Sequence, residues 1–419
     1  MESDIERLFL EQTPLLDVRA PVEFAKGAFP RASNFPLLYD LQREQVGIRY
    51  REAGQAAAIA LGHELLSPEI KEKRIAAWTE FAVNNPNAAL YCFRGGLRSQ
   101  TVEQWLAESG VKLPRIAGGY KRMRQYLLDQ ISYCAEHLPL LVLAGRTGTG
   151  KTRLLLQLPF YIDLEGLAKH RGSSFGRLLE DQPSPIDFEN TLAIELLRYR
   201  RVWRDNGGND SVLQSVNIPA TNAQPVSPLV VEDEGRLIGR IALPTELKER
   251  MSLAPAIRLE APLAERIEVV KADYIQDLSE RYCQHQQDVF EAQLDTPTDS
   301  PASADATRIA GLEAFADYHR AALGRIRKRL GGERTQTVLQ LFERAFVEHK
   351  EGKGTELYSD YIEFLLHEYY DPMYDYQMAN KKRDILFSGS ASEILQWFEA
   401  GGFRKTLIDH SEPSAYPVI

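Results

Sequence analysis

Short apolar runs, separated by longer stretches of helical spacing, organise this chain. Leu15-Leu16-Asp17-Val18 and Ala88-Ala89-Leu90-Tyr91 have strand length and little polarity, which predicts buried parallel strands. Apolar residues recur at helical intervals over Ser99–Glu108, so a helix is predicted directly after the second run. Leu140–Ala144 predicts another strand, with a helix starting near Lys151. Phe160-Tyr161-Ile162-Asp163 and Leu229-Val230-Val231-Glu232-Asp233-Glu234 predict strands that end in carboxylates. Asp384–Phe387, Gly389 and the helical stretch Ala391–Ala400 predict a closing strand–helix unit that returns to the same sheet. Residues 262–294 and 308–370 predict long helices with charged faces.

Such alternation predicts an α/β fold with parallel sheets, the functional loops lying at the carboxyl ends of the strands. We read a first domain over 1–134, a second over 135–402 containing a helical subdomain at about 262–370, and a tail over 403–419. Two stretches rich in Gly, Asn, Pro, Ser or Asp, 205–228 and 295–307, predict loops or insertions. No internal repeat is evident.

Composition narrows the class. The chain has 419 residues, 44% hydrophobic and 26% charged, as expected of a globular protein of two or three domains. The start, Met1-Glu2-Ser3-Asp4-Ile5-Glu6, lacks the basic-then-apolar order of a secretory signal, and no run approaches a membrane span. Cys92, Cys134 and Cys283 are too scattered for a disulfide framework or a zinc site. Cys134 and Cys283 read as small buried hydrophobes. A reduced, cytoplasmic setting without a membrane partner is expected. The net charge of −9 argues against indiscriminate nucleic-acid binding. Local basic clusters remain at Lys121-Arg122-Met123-Arg124, Arg198-Tyr199-Arg200-Arg201, Arg325-Ile326-Arg327-Lys328-Arg329 and Lys381-Lys382-Arg383.

Two loops carry the chemistry. In Cys92-Phe93-Arg94-Gly95-Gly96-Leu97-Arg98-Ser99 a cysteine follows a strand and precedes a helix. Backbone amides and the helix N-terminus there favour a thiolate, Gly95 and Gly96 let the loop form an anion nest, and Arg94 and Arg98 add positive charge. About fifty residues on, Gly145-Arg146-Thr147-Gly148-Thr149-Gly150-Lys151-Thr152 is a full match to the phosphate-binding P-loop. Gly145, Gly148 and Gly150 allow close backbone approach, Lys151 supplies a point charge, and Thr152 can hold a magnesium ion. Asp163, Glu232, Asp233 and Glu234 compete as its acidic partner. Asp233 is the first choice, because Leu229-Val230-Val231 leads into it. No base-recognition motif for ATP or GTP follows the P-loop.

Cys92–Arg98 resembles the active-site loop of rhodanese domains. Leu16-Asp17-Val18-Arg19, Glu23-Phe24, Gly27-Ala28-Phe29-Pro30-Arg31-Ala32 and Ile116-Ala117-Gly118-Gly119-Tyr120 resemble further stretches of that family. A rhodanese-like parallel-sheet domain followed by a P-loop domain is similar to the tRNA 2-selenouridine synthase family. Asp163–Gly176, Phe188-Glu189-Asn190, Glu232–Gly239 and Tyr369-Tyr370-Asp371-Pro372-Met373-Tyr374 strengthen the likeness, which thins over 205–228 and 295–307.

The resemblance implies a transferase that converts wobble 2-thiouridine of tRNA to 2-selenouridine. An S-geranyl intermediate is implied, with geranyl diphosphate and selenophosphate as substrates and no tightly bound cofactor. Catalysis is then expected of Cys92 and its loop, and diphosphate binding of Gly145, Thr147, Gly148, Gly150, Lys151 and Thr152. The implied partners are the tRNA anticodon loop and the selenophosphate-producing enzyme. A splayed anticodon base can stack on aromatic or arginine side chains, for which Tyr120, Tyr199, His170 and Arg171 are candidates, and Arg198, Arg200 and Arg201 are candidates for contacts to tRNA phosphates. The alternative reading is an ATP-dependent tRNA sulfurtransferase or NTPase with a fused sulfur-carrier domain.

Overall fold

The computed structural model describes residues 2–206, 227–292, 301–381 and 383–403. Most of the insertion expected at 205–228, the start of that at 295–307, Lys382 and the tail from 404 lie outside the described residues. The chain forms two compact units, Met1–Glu136 with Pro183–Val202, and His137–Gln182 with Trp203–Ile419. Residues 183–202, read above as part of the second domain, group with the first. The helix Pro185–Asp205 buries Leu192, Ala193, Leu196 and Leu197. Its polar groups are also taken up within the first unit. Asp187 accepts from the Ala28 N–H at 2.7 Å, Asn190 donates to the Ala28 carbonyl at 2.6 Å, and Arg124 pairs with Glu189.

In the first unit β1 (Leu15–Asp17) lies between β2 (Ala32–Asn34) and β3 (Ala89–Tyr91), all parallel. β2 has no apolar run to betray it, because Ala-Ser-Asn is held through its backbone. Leu16, Val18, Trp78, Leu90, Val102 and Leu106 make the core. Within it Asp17 and Arg19, at 0% and 1% exposure, form a buried ion pair at 2.6 Å. The Arg19 guanidinium also donates to the Gly27 carbonyl and lies 3.9 Å from the Tyr120 ring centroid. Burying two charges is repaid only when their geometry is good and further hydrogen bonds take up the groups the pair leaves over.

In the second unit β4 (Leu140–Ala144), β5 (Tyr161–Ile162) and β6 (Leu229–Glu232) are followed by a hairpin, β7 (Leu237–Ile238) and β8 (Ile241–Ala242). β9 (Ala256–Leu259) and β10 (Ile385–Gly389) complete a five-stranded sheet of order β10-β9-β4-β6-β5, parallel throughout. Every residue of β4 is buried, as a central parallel strand requires. From β4 the chain builds the sheet first on the β6 side and then on the β9 side. The loop after β4 therefore lies at a switch point, where open α/β sheets bind ligands. β9 escaped the sequence reading because Pro255 and Arg258 break up its apolar run.

The expected helical region contains Leu263–Lys271, Asp277–Ala292, Pro301–Leu330, Gly332–Lys350 and Tyr358–Leu365, with Asp371–Asn380 continuing beyond it; residues 301–307, expected as loop, open the third of these helices. Two π-turns, Ala272–Gln276 and Leu366–Tyr370, interrupt the helical ladder. His319, 1% exposed and stacked on Phe342, sits beside the first. Its Nε2 lies 3.2 Å from the Tyr274 carbonyl, and its Nδ1 lies 3.1 Å from the Tyr361 hydroxyl. A carbonyl can only accept, so Nε2 carries the proton and Nδ1 accepts from Tyr361. Burial pushes the His319 imidazole down to about 3.

Candidate active site

Each unit presents one of the two loops. In the first, the cysteine loop joins β3 to the helix Leu97–Glu108. Cys92 is buried, and its Sγ lies 3.2 Å from Ser99 Oγ in the first turn of that helix. The Ser99 hydroxyl donates to the Gly96 carbonyl, which leaves its oxygen to accept from a thiol. Rotation of the same hydroxyl lets it donate to an anionic sulfur. Ser99, at the end of the loop motif, carries no sequence signal of its own, and only the fold reveals its reach.

The loop is anchored by the helix Gly119–His137, whose Tyr120 and Lys121 N–H groups donate to the Cys92 and Phe93 carbonyls, each at 2.9 Å. A Cβ on Gly119 would sit 2.2 Å from the Cys92 oxygen, so only glycine allows this approach. Of the two arginines, Arg94 is exposed. Arg98 is held in a two-pronged ion pair with Glu23, at 2.5 and 3.1 Å, and its charge is already matched. The cationic environment expected from both arginines therefore reduces, among them, to Arg94.

In the second unit the P-loop connects β4 to the helix Lys151–Leu155. Lys151 Nζ donates to the Gly145 carbonyl at 3.0 Å, folding back over the loop. A Cβ on Gly148 would stand 2.7 Å from the Arg266 carbonyl, which explains glycine there. Arg266, 4% exposed, donates to the Thr147 carbonyl and forms a bidentate pair with Asp371. This brace ties the loop to Asp371 of the Tyr369–Tyr374 stretch, and sequence reasoning missed the arginine. Arg146 likewise pairs with Asp375.

The acidic partner differs from the expected one. Thr152 donates its hydroxyl to Glu232 Oε1 at 2.7 Å. Asp233, the first choice, is turned away to Lys381 at 2.8 Å and Arg383 at 3.0 Å. Burial works to raise its carboxyl, but those two charges outweigh it and hold it below the ordinary range. Asp163 caps the helix Leu164–Ala168, accepting from the Gly166 N–H at 2.7 Å. Glu234 stands instead with Glu232 and Glu165, their carboxylate oxygens within 4.8 Å of one another. Burial, and then the neighbouring carboxylates, push Glu165 up to about 10. Burial raises Glu232 to about 7 against the opposing Thr152 hydrogen bond. Glu232 Oε2 is buried with no hydrogen-bond partner among the described residues. Glu165 lies in a short helix rather than at a strand end, so nothing in the sequence marks it as a partner of Glu232.

The P-loop, these acids, His170 and Arg171 line a cleft of about 810 Å³. Arg171 is committed to the Asp273 carbonyl and, at 2.6 Å, to Asp277. The other stacking and charge candidates are largely engaged within the first unit. Tyr120 is 7% exposed and covered by Arg19, Arg198 pairs with Glu195, and Arg200 lies 3.9 Å from the Tyr133 ring centroid and donates to Gln130. Tyr120 is therefore part of the core rather than a base platform. Arg201 is exposed.

A central strand ending in a glycine-rich phosphate loop, with a strand-end glutamate on its threonine, defines the second unit as a P-loop α/β domain. A family model described as the tRNA 2-selenouridine synthase AAA domain matches residues 138–206 and 212–402. The chain is 44% identical to tRNA 2-selenouridine synthase of Marinobacter nauticus, over 94% of this chain and 96% of that one. It is 45% identical to the synthase of Sulfurovum sp. and 44% to that of Pseudomonas syringae pv. tomato, with the same coverage. A solved N-terminal domain from Clostridium difficile 630 is 31% identical over 28% of this chain and 89% of that one, at a TM-score of 0.27, too low to inform the fold. The chain belongs to the tRNA 2-selenouridine synthase family, a family of enzymes.

Proposed function

We propose that this enzyme replaces the sulfur of wobble 2-thiouridine in tRNA by selenium, in two steps. In the first, the thiocarbonyl sulfur attacks C1 of geranyl diphosphate. A C–S bond forms, the C1–O bond breaks, and diphosphate leaves with the bonding pair. In the second, selenium from selenophosphate attacks C2, the C–S bond breaks, and geranyl thiol departs. Water then takes the phosphoryl group as phosphate. Alkylation matters because it turns a poor leaving sulfur into a good one.

The observation that carries this reading is an intact P-loop, with Glu232 on Thr152, in a chain of this family that spans 96% of its relatives' length. The loop amides and Lys151 stabilise the charge that grows on the departing diphosphate. Magnesium fits the same place. Thr152 and Glu232, with its unpartnered buried Oε2, would hold it, and when bound it would neutralise diphosphate charge. On this reading the first unit is the rhodanese-like part, and Cys92, with Ser99 in reach, serves the selenium step. The selenophosphate-producing enzyme is the natural donor partner.

The test incubates the enzyme with a 2-thiouridine anticodon stem-loop, geranyl diphosphate and selenophosphate, followed by mass spectrometry. S-geranyl and then seleno products are expected. Stoichiometric ATP hydrolysis during modification, with neither product formed, would overturn the reading in favour of an ATP-dependent sulfurtransferase.

A further inference from the structure

A cavity lined almost wholly by apolar groups lies beside the phosphate loop. Val270, Ile275, Leu365 and Leu366 form its walls with the rings of Tyr274 and Tyr370, and Thr147 of the P-loop reaches it. Its own volume is only about 30 Å³, but Thr147, Val270, Tyr274 and Tyr370 also line the 810 Å³ cleft. The cleft is thus lined both by the carboxylates of Glu165, Glu232 and Glu234 and by Val270, Tyr274 and Tyr370, which continue into the cavity. Both π-turns contribute lining residues, and such turns concentrate at functional sites.

A group esterified to a phosphate on Lys151 and Thr152 would lie in this cleft, over its carboxylates or over its apolar residues. The apolar face offers little to a nucleoside base. The Tyr274 hydroxyl donates its proton to the Arg171 carbonyl, and His319 is taken up by the Tyr274 carbonyl and the Tyr361 hydroxyl. A base buried there would lose hydrogen bonds to water without replacement, whereas a hydrocarbon has none to lose.

We propose that this face is the hydrocarbon subsite for a prenyl diphosphate. Val270, Tyr274 and Tyr370 lie along the chain, and Ile275 and Leu365, which line the cavity but not the cleft, limit its length. The inference rests on the prenyl-transfer reading above and adds where the chain goes and what measures it.

The test compares transfer of dimethylallyl, geranyl and farnesyl groups from their diphosphates to the 2-thiouridine stem-loop, using full-length enzyme. Leu365→Trp should lower the preference for geranyl over dimethylallyl by about tenfold or more, and Leu365→Ala should raise farnesyl over geranyl by a similar factor. Binding of inorganic pyrophosphate should stay unchanged in both, which also reports folding. A geranyl diphosphate carrying a terminal diazirine, photolysed on the wild-type enzyme, should label Ile275, Leu365 or Leu366. Transfer with unchanged chain-length preference in both variants, or labelling confined to residues outside the cavity, overturns the subsite and leaves the prenyl-transfer reading standing. Failure of the wild-type enzyme to bind or transfer any prenyl diphosphate overturns that reading, and the subsite with it.

Discussion

Cys92 and Lys151 sit in different loops with different neighbours, and their variants should fail in different ways. Cys92→Ala removes the sulfur but leaves the P-loop whole, so selenium incorporation should stop while S-geranyl tRNA accumulates. Digests in which geranylation is also lost, from a variant that melts like the wild type, would contradict that division. Lys151→Ala removes a charge-assisted contact to phosphate oxygens and should weaken geranyl diphosphate binding by roughly 1.5–3 kcal/mol, read by calorimetry. Both loops were legible in the sequence because each is a contiguous motif. Glu232 was not separable from Asp233, since the choice depends on partners far along the chain. Lys381 and Arg383 claim Asp233, and the register that sets Leu143 opposite Glu232 brings the glutamate to Thr152. Arg266 had no local signature at all, because the carbonyl it braces is 119 residues away.

Secondary elements with continuous apolar runs, such as β4, were readable with their boundaries. β2 and β9 were not, one being short and polar and the other broken by Pro255 and Arg258. The helical subdomain was visible as helices, but not its π-turns or the histidine that satisfies one of them. His319 gives that layer a pH dependence. Its folded pKa, about 3, lies below the ordinary histidine value of 6.5. Between these values the unfolded chain binds a proton that the folded chain does not. The stability linked to neutral His319 is therefore complete above pH 6.5 and is lost as pH falls towards 3, by up to about 1.4 kcal/mol per pH unit. Denaturant titrations should show a shallower slope in that window for His319→Phe than for the wild type. Equal slopes would mean that another group carries the dependence. In the first unit, Asp17→Ala strands the buried Arg19 charge and should destabilise by about 3–5 kcal/mol, measured by equilibrium unfolding.

For the molecule as a whole, tRNA must be bound by a chain of net charge −9. Affinity should therefore come from local cations and fall steeply with salt, and a flat salt titration would contradict this. Arg200, packed on Tyr133 and bonded to Gln130, belongs to the fold, so Arg200→Ala should lower the melting temperature. Basic clusters in the sequence marked surface charge but could not show which cations the fold spends internally. The central claim is that a prenyl diphosphate, not a nucleotide, is consumed at the P-loop. Its most direct test is a single reaction of enzyme, 2-thiouridine stem-loop, geranyl diphosphate, selenophosphate and ATP, with pyrophosphate, ADP and AMP measured beside the modified nucleosides. We expect one pyrophosphate released per S-geranyl or seleno product and no ATP consumed. ATP consumed in step with modification, with geranyl diphosphate left intact, would contradict the account.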